Sequence, residues 1–297
     1  MKNNYLKLIM SSLILICVIP FSSVQAQTLD DYITRYTGEN GPGYIKPAVE
    51  SISSNMNSGW YRSAKIKKLR PQFYLGVVVM GAFIPEDNKT FRATTEGDFS
   101  PRQTVDAPTI VGSGESVTIS GDGGTTYTFP GGADINFIPL AAPQLTLGSV
   151  FGTDVSVRYV TAPIGGEIGD VTLSGFGIRH SVSQYLPDLF PVDIAINYNN
   201  STAEVGDIMK VKSWIAGVQG SYSIKILNVY GGFAYEKGNA DINYTSSEGT
   251  NIDFNIDTNA NMRATLGLCL NMGPVKLNTD YSIGAQNVLT VGFGIGI

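Results

Sequence analysis

The chain has 297 residues, with 20 basic against 25 acidic side chains, one histidine and two cysteines. A net charge of −5 argues against a nucleic-acid partner, and none is expected. One histidine and two cysteines exclude a histidine-built or cysteine-built metal centre and a disulfide framework, and no cofactor is expected.

Residues 1–26 combine Lys2 and Lys7 with an apolar run over 8–21 and the small-residue ending Ser22-Ser23-Val24-Gln25-Ala26. This is the pattern of an export signal cleaved after Ala26. Cys17 lies inside the apolar run behind bulky Ile16, so lipidation is not expected there. Cleavage takes two basic residues and no acidic ones, and leaves Cys269 alone.

Residues 27–70 differ in kind from the rest of the mature chain. A helix is expected over 47–56, with Pro47 in its first turn and Val49, Ile52 and Met56 on one face. So short a helix is marginal alone and needs a packing partner. The segment is therefore read as a plug seated in the mouth of the next domain, with Trp60 as a further plug residue. The run "KIKKLR" at 65–70 reads as a basic rim before the first strand.

From residue 71 to 297 the sequence alternates with a period of two. The alternating segments are 73–83, 144–150, 154–161, 171–185, 192–199, 210–224, 227–236, 252–272, 275–284 and 289–297. Between 252 and 272 every even position is apolar except Thr258, and odd positions are mostly polar or small. Such length suits a strand with lipid on its even side and water on its odd side, continued outward as a hairpin. Segments of about ten alternating residues between turn signals predict an all-β chain, an antiparallel transmembrane β-barrel. With candidate strands at 89–96 and 117–129 the barrel is expected to hold about 12 strands, within 10 to 14. Counting back from a periplasmic C-terminus puts the turns near Gly273, Lys225, 187–191 and Gly152 on the inner side. The longer linkers 162–169, 201–207 and 246–250 then fall outside. No segment after the signal is apolar enough for a membrane helix. The "GDGG" at 121–124 reads as a turn, since no Gly-Lys-Ser/Thr comes after it.

The alternation also sorts the charges. Arg158, Arg179, Arg263 and Lys276 are expected to line the lumen with Asp193, Glu236, Asp253 and Asp280. Mixed signs there fit ion pairs that brace the wall or border a narrow path. His180 falls on the outward side, and the position two residues on, where a serine nucleophile would share its face, is Val182. Catalysis is not expected. Asp253 and Asp257 are read as solvated rather than as a cation site.

Three stretches carry a resemblance: "NSGWYRSAK" at 57–65, "PQLTLGS" at 143–149 and "GFGIRHSVSQYLP" at 175–187. They look like an uncharacterised Bacteroidetes-type outer-membrane family. More distantly, the layout resembles the long-chain fatty acid transporters, although their Asn-Pro-Ala hatch motif is missing and the chain ends in Ile297 where barrels usually carry a terminal aromatic. The resemblance implies an outer-membrane barrel with an N-terminal hatch that passes hydrophobic compounds. The expected function is thus a passive channel or transporter for small or hydrophobic compounds, with outer-membrane lipids and such solutes as partners. A non-transporting structural or assembly component is the alternative, and a barrel lipid hydrolase ranks last.

Overall fold

The computed structural model describes residues 40–163, 170–187, 191–245 and 251–297. The expected export signal and residues 27–39 lie outside the described residues, as do most of the 162–169 and 246–250 linkers and part of the 187–191 turn.

The first element is helix α1, Asn40–Met56. It begins earlier than the expected 47–56 and carries Pro47 inside rather than in its first turn. An interior proline costs an isolated helix about 3 kcal/mol, and long-range contacts offset that here. The Asn40 amide donates to the Thr94 carbonyl at 2.7 Å and to Glu96 Oε1 at 2.6 Å. The Tyr44 hydroxyl donates to the Gly131 carbonyl at 3.1 Å.

Strand β1 (Gln72–Phe83) is followed by two small hairpins, β2 (Thr90–Thr94) with β3 (Thr104–Pro108), and β4 (Val117–Ser120) with β5 (Thr126–Phe129). Then come β6 (Phe137–Val150), β7 (Thr153–Pro163), β8 (Asp170–Ser181), β9 (Asp193–Val205), β10 (Met209–Ile224), β11 (Leu227–Thr245), β12 (Asn251–Asp257), β13 (Asn261–Met272), β14 (Val275–Ile283) and β15 (Asn287–Gly296). Antiparallel pairing runs β1-β6-β7-β8-β9-β10-β11-β13-β14-β15 and returns from β15 to β1. Among the described residues ten strands close this ring, with β12 carried above it on β11. Ten is the lower end of the expected range. The candidate strand at 89–96 is β2, paired with the unanticipated β3, and that at 117–129 is the β4–β5 hairpin. Both hairpins lie outside the wall, because strands of 4 or 5 residues fall short of the roughly 9–11 that a bilayer crossing needs.

The outside of the ring is apolar and exposed, with Leu75, Phe293, Leu268, Val218 and Phe176 among its side chains. Aromatic rings meet on it across neighbouring strands. Tyr198 and Trp214 are 6.3 Å apart, Trp214 and Tyr235 5.8 Å, and Phe83 and Phe137 5.2 Å. Beyond them stands a charged collar of exposed pairs, Lys210–Glu204 at 2.6 Å and Lys212–Asp241 at 3.0 Å.

The 252–272 alternation is not one strand. Asn239 of β11 pairs with Asp257, whereas Glu236 pairs with Asn261, so β12 and β13 are separated by one extra residue. Thr258 ends β12 by standing in for the ladder, its hydroxyl accepting from the Gly238 N–H at 2.7 Å. A one-residue slip exchanges faces. Leu266, Leu268 and Leu270 of β13 point outward, but Ile256 of β12 is buried against the α1 cluster. The expected single lipid-facing even side therefore holds only for β13.

One seam of the ring is half closed. Strands β6 and β7 pair from Gln144↔Arg158 down to Val150↔Thr153. Above that, residues 137–143 pair only with β1, and residues 159–163 only with β8. The reciprocal hydrogen bonds of Phe73 with Ile297 turn the odd positions of β1 towards β15 and its even positions towards β6. Register then aims the odd positions of β6, Pro139 and Pro143 among them, at β7. Proline has no N–H to give. The two prolines thus fall where the ladder is absent.

Candidate functional site

The interior of the ring is occupied. Helix α1 contacts β15, β1 and β6 on one side of the ring and β9, β10 and β11 on the other, and β12 above it. Of the residues expected in a plug, Val49, Met56 and Trp60 are buried and Ile52 is partly buried against the cluster that holds Val49 and Met56. In the outer half this cluster is apolar, joining Tyr44, Ile45 and Val49 to Ala142, Leu173, Ala203, Val211 and Ile256. Leu140 and Val160, on either side of the open seam, pack against it.

The middle of the interior is polar and held by three arginines. Arg158 donates to the Ser58 carbonyl at 2.9 Å and to Gln144 Oε1 at 3.0 and 2.8 Å, and lies 4.0 Å over the Trp60 ring. Arg263 pairs with Glu236 at 2.9 Å and donates to Ser58 Oγ at 2.9 Å and to the Ser54 carbonyl at 3.2 Å. Arg179 pairs with Asp154 and donates to the Ser63 carbonyl at 2.7 Å. The last carbonyls of a helix lack partners within it and carry its negative dipole end. Arg263 at the Ser54 carbonyl, Arg158 at 3.5 Å from the Met56 carbonyl, and the Trp60 indole, which donates to the Met56 carbonyl at 2.8 Å, answer that need. Further down, Asn228 donates to the Arg62 carbonyl at 2.8 Å, and the Ala64 N–H donates to Ser221 Oγ at 2.9 Å. Burial pushes the Tyr61 hydroxyl up to about 12, so it stays neutral in this layer.

Of the predicted lumen residues, Arg158, Arg179, Glu236, Arg263 and Asp280 are buried inside the ring. Asp280 accepts from the Tyr230 hydroxyl at 2.8 Å. Lys276 and Asp193 are half-buried at the end where the chain enters β1. Asp253 does not line the lumen, contrary to expectation, because β12 has the reversed face and Asp253 is exposed on its outer side. His180 faces outward, its Nδ1 2.8 Å from Thr153 Oγ1 and its Nε2 3.0 Å from the Tyr185 hydroxyl.

Several site residues were not anticipated. Asp154 stands directly opposite Arg179 in the β7–β8 register, a pairing that a hairpin alignment of the two strands would have exposed. Gly175 and Gly177 matter for what they lack. A Cβ on either would approach the Trp60 ring, to 2.9 Å and 3.1 Å respectively, so the glycines of "GFGIRH" make the recess that the indole fills.

The chain belongs to the family described as "Family of unknown function (DUF6588)", whose model matches residues 1–297. An uncharacterized protein of Haemophilus influenzae is 29% identical over 87 residues, which is 29% of this chain and 52% of that protein. The match thus spans about half the length of that curated relative. Among solved structures, OmpT of Vibrio cholerae has a TM-score of 0.28 at 13% identity, with 77% of this chain and 99% of that chain covered. The transport unit of the autotransporter AIDA-I from Escherichia coli has a TM-score of 0.31 at 11% identity, covering 84% and 98%. The Pseudomonas putida toluene transporter TodX has 0.27 at 11% identity, covering 77% and 89%. Likeness this slight assigns no activity. The family shown is one of unknown function; neither the expected Bacteroidetes type nor a likeness to long-chain fatty acid transporters specifically is shown.

Proposed function

We propose that this member of a family of unknown function is an outer-membrane β-barrel that admits small apolar compounds sideways, through the β6–β7 seam. The observation that carries the reading is the unpaired outer half of that seam, backed by Leu140, Val160 and the apolar cluster they join. An apolar solute leaving the lipid there would meet hydrocarbon rather than the polar middle layer. Among the described residues the other neighbouring strands of the ring are paired along the apolar belt, so this seam is the break that a solute would use.

The membrane part rests on the exposed apolar belt and its aromatic border. From Trp214 at the border to Ile224 at the far end of β10, the strand has the length of a tilted crossing. In this reading the N-terminal segment is a plug, and solute passes only when α1 yields.

The test is a cross-link over the seam. Register extended from Gln144↔Arg158 sets Ala141 opposite Thr161, so Ala141→Cys and Thr161→Cys, in a Cys269→Ser background, can be joined by a cleavable bismaleimide. Cells carrying the barrel should take up naphthalene several-fold faster than control cells. Cross-linking should abolish the gain, and cleavage of the linker should restore it. Uptake indifferent to the cross-link would overturn the lateral route.

A second reading has its own observation. The interior is filled and the filling is held by buried arginines, as a non-transporting structural component would require. No naphthalene uptake above control would favour it.

A further inference from the structure

Below the arginine layer the interior opens again. A cavity of about 340 Å³ lies at the end where the chain enters β1. Its lining includes six basic side chains, Arg62, Lys65, Lys67, Arg179, Lys225 and Lys276, against one acidic side chain, Asp154. Asp154 is already paired with Arg179, so the acid cancels only one of the six. The layer above is different in kind, since Arg263 there has Glu236 as its partner.

Arg62 is the least explained of these residues. Its guanidinium lies 3.4 Å over the Tyr74 ring, and among the described residues no carboxylate stands within ion-pair distance of it. Lys65, Lys67, Lys225 and Lys276 likewise make no ion pair among the described residues. Burial holds the Arg62 pKa below its ordinary value, and Arg179 adds to the effect. Like charges gathered in a partly dry space repel, and a bound anion relieves that repulsion. A planar guanidinium with free N–H donors is suited to a phosphate or carboxylate.

We propose that this cavity is a binding site for a small soluble polyanion carrying phosphate or carboxylate groups, with Arg62, Lys67 and Lys276 as its principal contacts. The volume suits a compact ligand rather than a chain. Anionic lipid offers the same headgroup chemistry, but Arg62, Lys67 and Lys276 are half-buried in the cavity wall, whereas Lys65 and Lys225 of its lining and Lys68, Leu69 and Arg70 outside it are exposed and are the ones a headgroup would meet. The proposal is independent of the β6–β7 seam.

The test uses the full chain in lipid-free micelles, titrated calorimetrically with inorganic pyrophosphate. Saturable binding that weakens steeply with added salt is expected. Arg62→Gln combined with Lys276→Gln should lower the affinity at least tenfold, while Lys68→Gln with Arg70→Gln should leave it unchanged. Heat-modifiable migration in electrophoresis checks that each variant is folded. Cross-linking the seam should not alter the titration, which separates this site from the lateral route. Absence of saturable binding at low salt, or equal affinity in the Arg62/Lys276 variant, would overturn the proposal. So would an Arg62-dependent preference for phosphatidylglycerol nanodiscs without pyrophosphate binding, which would assign the charge to lipid.

Discussion

Arg158 of the wall lies 4.0 Å over the ring of Trp60 in the N-terminal segment, and the indole fills the recess that Gly175 and Gly177 leave. Wall and filling are thus built for each other at this point. Arg158→Met keeps the bulk but leaves Gln144 Oε1 and the Ser58 carbonyl without their donor. Buried acceptors left this way cost about 1–3 kcal/mol each. Thermal unfolding in micelles should fall by several degrees, and protease should reach the 57–64 stretch. Gly177→Val should release the same stretch by displacing the indole. Unchanged protection in both variants would mean that the contact does not hold the segment.

Leu268 is exposed on β13 between Gly267 and Cys269, which are buried. Leu268→Arg should cost roughly 2–4 kcal/mol if that side meets the bilayer midplane. Thr265→Ser, on the inner side, keeps the hydroxyl contact with Ser282 at 2.9 Å and should be near neutral. Folding yields into vesicles compare the two directly. Equal tolerance would contradict the assignment of faces.

The extra residue between β12 and β13 can be tested by chemistry. Asp257 is exposed on β12, so Asp257→Cys in a Cys269→Ser background should react readily with an impermeant maleimide. Deleting Ala260 removes the slip and turns Asp257 and Ile256 over. Labelling should then drop several-fold and stability with it, because Ile256 leaves the α1 cluster. Persistent labelling after the deletion would show that the bulge does not set the face.

Removing residues 40–58 takes away α1 and the carbonyls that Arg158 and Arg263 bind. Apart from the outer half of the β6–β7 seam, the barrel wall is hydrogen-bonded strand to strand without α1, so insertion should survive. Single-channel conductance in planar bilayers should rise well above that of the full chain. Equal conductance would mean that the segment does not obstruct the lumen.

Much of this was legible in the sequence because its physical cause is local. A strand with an oily and a wet side must alternate, and so the ten wall strands and the inward turn of Arg158, Arg179, Glu236, Arg263 and Asp280 follow from period two alone. Helical spacing likewise singled out Val49, Ile52 and Met56. Other features depend on residues far apart in the chain. The presence of α1 ahead of Pro47 is supported by Asn40 reaching Thr94 and Glu96, and no rule about Pro47 contains that contact. Alternation is blind to a bulge, since a two-residue repeat reads the same on either face; only pairing against β11 turns Asp253 outward and Ile256 in. The half-open β6–β7 seam and the basic cavity around Arg62 arise when distant strands close into a ring. Which side chains share a space, and with what net charge, is a property of that closure.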